Sequence, residues 1–139
     1  VMFSLIAHYA HKQTLPLPLA LMRFRAGFPS PAEDHVDRSL DLNEFIEHPA
    51  ATFYGRLEGD SMEPVMRAGD LLVVDRAVTA KSGQVVVAVH AGEFTVKRLK
   101  IEKGRSWLIP ENPNYPTILC GEETEIWGVV IFSVHWPSP

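Results

Sequence analysis

From Ala51 onward, apolar residues fall in short runs rich in Val, Ile, Phe, Trp and Thr, divided by clusters of Gly, Pro, Asn and Asp. Runs of this kind fit a pleated, half-buried surface, and the clusters between them are turn formers. The pattern predicts strands over 52–57, 71–75, 84–90, 93–100, 106–109 and 126–136. Ala91-Gly92 falls between two of them as a tight hairpin turn. No helical period intervenes, so the expected fold is mainly β: a mostly antiparallel sheet structure with a barrel-like core.

The chain before Ala51 has a different texture. Pro16, Pro18, Pro29 and Pro31 interrupt helical and strand registers, and residues 1–40 therefore read as an arm. The apolar residues between the prolines imply that the arm docks on something. One short helix is predicted next, with Asp41 as N-cap, Glu44 closing a capping box, Leu42, Phe45 and Ile46 as its apolar face and Pro49 as its stop. This organisation gives an arm over 1–40 and a β domain over 41–139.

Composition narrows the function classes. At 139 residues with 46% hydrophobic content, the chain holds enough apolar surface for one core of ordinary size. A net charge of −4 disfavours strong direct binding to duplex DNA. The longest early apolar stretch, 15–22, is too short for a bilayer and is broken by two prolines. Arg23 and Arg25 stand where a signal peptide needs small neutral residues. No membrane association and a cytoplasmic location are expected. Cys120, the single cysteine, fits a reducing compartment and reads as a small buried hydrophobe. His8, His11, His35, His48, His90 and His135 are scattered without metal-ligand spacing, and no glycine-rich phosphate loop occurs, so neither a metal nor a cofactor is expected.

Three features carry candidate chemistry. Ser61 sits in Gly59-Asp60-Ser61-Met62, where the glycine permits a sharp turn. Such a turn can aim the backbone N–H groups of Ser61 and Asp60 at a developing oxyanion, although the same tetrapeptide is ordinary turn chemistry. Lys97 lies mid-strand between Thr95 and Leu99. If that face is buried, its amine loses solvation, its pKa falls and it can serve a serine as general base. If that face is open, Lys97 is a solvated charge among Arg98, Lys100 and Lys103. Upstream, Ala26-Gly27 is a small-residue bond kept extended by Phe28-Pro29-Ser30-Pro31, suited to a narrow cleft or to a plain linker.

Taken jointly, Gly59-Asp60-Ser61-Met62, Gly69-Asp70-Leu71-Leu72-Val73-Val74-Asp75, Val85-Val86-Val87-Ala88 and Glu93-Phe94-Thr95-Val96-Lys97-Arg98-Leu99 resemble the LexA/UmuD self-cleaving Ser-Lys peptidase family. The Ala26-Gly27 arm and Trp127-Gly128-Val129-Val130 are similar to its UmuD/MucA-like branch, while residues 1–24 match poorly. The resemblance implies a partly closed β structure shared with signal peptidases. It implies Ser61 as nucleophile, Lys97 as general base and Ala26-Gly27 as the self-cleavage site. It further implies a homodimer, stimulation by the RecA filament on single-stranded DNA, and a shortened form that joins a UmuC-like Y-family DNA polymerase in error-prone synthesis past lesions. The rival readings are a LexA-like repressor fragment, for which the proline-broken arm offers no DNA-binding domain, a membrane signal peptidase, which lacks its anchor here, and a non-catalytic polymerase-binding module.

Overall fold

In the computed structural model, residues 13–20 and 36–138 are described. The chain divides into two compact units, Val1–Ala50 and Ala51–Pro139.

Within the first unit, β1 (Leu17–Ala20) pairs antiparallel with β2 (Val36–Leu40). The prolines do not abolish strand structure here, contrary to the expectation for the arm. In a two-stranded sheet every strand is an edge, and an edge tolerates Pro18 because its missing N–H can lie on the unpaired side. A 3-10 helix, Leu42–Phe45, follows with the expected capping box: Asn43 N–H donates to Asp41 Oδ1 at 2.9 Å, and Asp41 N–H donates to Glu44 Oε2 at 3.3 Å. Asp41 also accepts the Leu15 N–H at 2.8 Å, which ties the helix cap to the chain entering β1.

The second unit is one seven-stranded sheet in the order β3-β4-β9-β5-β6-β7-β8. Its strands are β3 (Thr52–Arg56), β4 (Leu71–Asp75), β5 (Val85–His90), β6 (Glu93–Glu102), β7 (Arg105–Ile109), β8 (Ile118–Leu119) and β9 (Thr124–Val134). All pairings are antiparallel, and the sheet ends at β3 and β8 without closing into a barrel. The predicted hairpin is present: His90 faces Glu93 across Ala91-Gly92, with φ of 50° and 83° at the two turn residues. Such values match the right-handed twist of the flanking strands. The two-residue β8 has no counterpart among the predicted strands, since Ile118-Leu119 is too short to form a recognisable run. No helix among the described residues is long and apolar enough to cross a membrane.

Side chains on β5 alternate between two apolar clusters. Val85 and Val87 join Leu57, Met62, Met66, Leu72 and Val74, whereas Val86 and Ala88 join Leu99, Leu108 and Val129. The sheet is thus covered on both sides where it matters for the site, and β5 and β6 are fixed from both. Cys120 packs partly buried against the second cluster, where burial pushes its thiol upward, as expected of a small hydrophobe.

β9 is the strand that shapes the sheet. Its register shifts opposite Val73/Val74 and again opposite Val87/Ala88, and bulges of this kind bend a strand and increase its twist. Trp127 sits at the second irregularity, its ring 5.4 Å from Phe53 and 5.7 Å from Phe94, with the Arg76 guanidinium 4.4 Å over it. Beside it, Gly128 lies close against β4. A Cβ there would stand 2.7 Å from Val74 Cγ1 and 3.3 Å from the Asp75 carbonyl oxygen. Val74 is buried and β-branched, so it has no free rotamer to retreat into. Gly128→Ala is expected to destabilise the protein by about 1–3 kcal/mol, read as a lowered midpoint in denaturant unfolding at unchanged slope.

Candidate active site

The segment 57–70 that joins β3 to β4 carries Ser61. Its base is closed by backbone bonds, Leu57 N–H to Asp70 C=O at 3.0 Å and Gly69 N–H to Leu57 C=O at 2.8 Å. Asp70, almost fully buried, accepts the Arg67 N–H at 2.9 Å and lies 2.6 Å from His135 Nδ1 beyond β9. Burial alone would push this carboxyl up; the Arg67 N–H and His135 outweigh it and hold it below its usual range. Inside the segment, Met62 and Met66 insert into the first apolar cluster, Met62 with no exposed surface. The residue after the serine is therefore an anchor, and Ser61 itself is left half-buried at the rim.

Gly59 opens the turn. Its φ is +77°, a left-handed value that side-chain-bearing residues adopt at a cost of about 1–2 kcal/mol, and nothing lies near the position of an added Cβ.

Lys97 reaches the same place from β6. Strand alternation puts Thr95, Lys97 and Leu99 on one side, and both Lys97 and Leu99 are buried. Lys97 Nζ lies 3.0 Å from Ser61 Oγ, 2.6 Å from Thr95 Oγ1 and 3.1 Å from the Val96 carbonyl oxygen. Burial pushes the amine below its usual range, and no carboxylate among the described residues forms an ion pair with it to restore the charge. Nζ thus has three oxygen neighbours within hydrogen-bond distance, Val96 O, Thr95 Oγ1 and Ser61 Oγ, and none of them is charged. Of the two readings open for Lys97, the buried one holds.

Both side chains line a cleft of about 360 Å³ whose wall also includes Arg56, Gly59, Asp60, Phe94 and Tyr115. The N–H groups of Asp60 and Ser61 donate to no acceptor among the described residues. Two groups that the sequence did not single out brace this turn. Asn112 N–H donates to the Ser61 carbonyl at 2.9 Å and Asn112 Nδ2 to the Asp60 carbonyl at 3.1 Å, while the Tyr115 hydroxyl donates to Asp60 Oδ1. The Asp60 bond raises the Tyr115 phenol above its ordinary range. Asn112 and Tyr115 lie in a turn-rich stretch, Glu111-Asn112-Pro113-Asn114-Tyr115-Pro116, whose composition alone signals only a loop. Ala26 and Gly27 lie outside the described residues. His90 bonds to Thr124 and His135 to Asp70, so neither engages Ser61. No metal-binding cluster of His, Cys, Asp or Glu occurs among the described residues.

A serine and a buried, carboxylate-free lysine at hydrogen-bond distance in an open antiparallel sheet define a candidate Ser–Lys hydrolase site. The Peptidase S24-like family profile matches residues 18–131, and the chain belongs to that family. It is 51% identical to Protein SamA of Salmonella typhimurium over 85% of this chain and 84% of that protein. It is 45% identical to Protein MucA of Escherichia coli over the same shares. LexA repressor 1 of Pseudomonas syringae pv. tomato is 41% identical over 78% of this chain and 56% of the repressor.

Replacing Gly59 by Ala is expected to cost about 1 kcal/mol, since the loss is conformational rather than steric. Denaturant unfolding of the variant checks this, and a cost near zero would show that the turn relaxes to another φ.

Proposed function

We propose that this protein is a self-processing serine peptidase of SOS mutagenesis, which cuts its own chain between Ala26 and Gly27 with Ser61 as nucleophile and Lys97 as general base. The single observation that supports this best is the 3.0 Å contact between Ser61 Oγ and a buried lysine amine. Membership in a peptidase family and relatives of matching length, SamA and MucA, point the same way.

In this reading Lys97, neutral in its pocket, takes the Ser61 proton as Oγ attacks the Ala26 carbonyl carbon. The oxyanion forms against the N–H groups of Ser61 and Asp60. Lys97 then hands its proton to the Gly27 nitrogen as the peptide bond breaks, leaving Ala26 esterified to Ser61. Water attacks the ester as Lys97 accepts its proton, and Lys97 returns that proton to Ser61 Oγ as the ester bond breaks, which restores both groups. The products are a peptide ending at Ala26 and a body beginning at Gly27. Tethering the scissile bond to the site supplies a high effective concentration, so modest chemistry suffices. No cofactor or metal enters the scheme.

The protein acts as a cytoplasmic homodimer. The RecA filament on single-stranded DNA stimulates cleavage by favouring the arm conformation that reaches Ser61, adding no catalytic group. The shortened form joins a UmuC-like Y-family polymerase for translesion synthesis.

Ser61→Ala and Lys97→Ala are each expected to lower self-cleavage by about a thousandfold or more, measured as the mass of the product beginning at Gly27. Cleavage of either variant at the native rate would falsify the assignment. The pH dependence follows from the lowered amine. Protonated Lys97 cannot accept a proton, so the rate rises with pH and levels off above the folded-state pKa, which burial places below the ordinary 10.5. A first-order cleavage rate that stays flat from acidic through alkaline pH contradicts the role of Lys97.

A further inference from the structure

The loop between β7 and β8 meets the nucleophile turn through more bonds than packing alone requires. Every polar group of Asn112 is engaged. Its N–H donates to Ser61 C=O at 2.9 Å, and its Nδ2 donates to Asp60 C=O at 3.1 Å. Its Oδ1 accepts the Asn114 N–H at 3.0 Å, and its own carbonyl accepts the Tyr115 N–H at 3.1 Å. The Asn114 bond fixes which side-chain atom is oxygen, so Nδ2 is the one that faces Asp60. The Tyr115 hydroxyl completes the clamp on Asp60 Oδ1.

The consequence lies in the peptide planes. In a trans peptide the C=O and the following N–H point in opposite directions. Holding the Asp60 carbonyl against Asn112 therefore turns the Ser61 N–H to the far side. Holding the Ser61 carbonyl against Asn112 does the same for the Met62 N–H. The Asp60 carbonyl also accepts the Glu63 N–H at 3.1 Å, so this plane is fixed from two directions. A free turn would swing its peptide planes; this one cannot. The clamp is anchored in turn, because the preceding Glu111 is held by Arg98 Nε at 2.5 Å, and Arg98 is the neighbour of Lys97 on β6.

We propose that Asn112 is a positioning residue of the self-cleavage reaction: it orients the Asp60–Ser61 peptide so that the Ser61 N–H is aimed at the oxyanion, with Tyr115 holding Asp60 in support. Asn112 touches no reacting atom. The proposal rests on the Ser61–Lys97 reading above. It adds that a donor at position 112, and not merely a side chain of that size, sets the rate.

The test is the first-order self-cleavage rate of the purified full chain across pH, with Ser61→Ala as control and thermal unfolding measured for every variant. Asn112→Ala removes the side-chain donor and leaves Lys97 untouched, so its plateau rate should fall about tenfold to a hundredfold with the pH midpoint unmoved. Asn112→Asp keeps the shape and the acceptor for Asn114 but sets an oxygen against the Asp60 carbonyl, so its plateau should fall at least as far. A role in loop shape alone predicts that Asn112→Asp cleaves like the native chain. A loss of less than about fivefold in either variant, or a loss in Asn112→Ala that arises from a displaced midpoint, overturns the proposal. If the Asn112 variants unfold below the assay temperature, Tyr115→Phe decides, since it removes one hydroxyl from a partly exposed side chain. A plateau about threefold lower or more at unchanged melting temperature supports the clamp, and a smaller change overturns it. Cleavage that persists in Ser61→Ala removes the underlying reading instead, and the two failures are thereby told apart.

Discussion

A primary amine held 3.0 Å from a serine hydroxyl, with no carboxylate among the described residues paired to it, is the constraint on which the rest of the structure depends. In water an amine is a cation at neutral pH and useless as a base. Desolvation lowers its pKa without tying up its lone pair. The molecule therefore has to bury a lysine, give its N–H groups neutral acceptors, and leave one direction open toward the serine. Thr95 Oγ1 and the Val96 carbonyl are those acceptors, both supplied by the strand that carries Lys97. A carboxylate in place of Thr95 would hold the amine in its charged form.

Meeting this constraint takes both apolar clusters. Leu99, Leu108, Val86 and Val129 hold the side of β6 that Lys97 shares, while Met62 and Met66 draw the serine-bearing segment down onto the other cluster. Neither residue of the pair is placed by its own bonds alone. Each is placed by a hydrophobic neighbour one or two positions away, Met62 for Ser61 and Leu99 for Lys97. Packing is stiff enough to fix such a distance, because cores do not deform continuously.

The sheet was largely legible in the sequence, since period, turn residues and strand length agree for β3 to β7 and for β9, with the two-residue β8 the exception. Gly92 and Asp41 announced a hairpin and a helix cap by local chemistry that tertiary context did not override. The arm was harder to read. Pro18 argues against a strand in most settings, yet a two-stranded sheet is all edge. The fate of Lys97 was undecidable from periodicity, because Phe94 and Val96 make the opposite side of β6 apolar as well, and Phe94 turned out to be the exposed one. Asn112 and Tyr115 were invisible for a different reason. Their partners are backbone carbonyls and a turn carboxylate more than fifty positions away, and no local pattern encodes which turn a loop will touch.

This distant contact also explains how one loop can couple the two halves of the site. Arg98 is fixed on β6 by its bond to the Gly83 carbonyl at 2.7 Å, and it holds Glu111 through Nε. Glu111 is followed by Asn112, which holds the carbonyls on either side of the Ser61 amide and side chain. The strand that presents the amine thus carries, one residue further on, the anchor of the loop that braces the turn presenting the hydroxyl. A slip of β6 by one residue would turn Lys97 to the other face, and it would also drag Glu111 and release the serine turn. Amine and hydroxyl are set by a single register, so errors in one cannot be absorbed by adjusting the other.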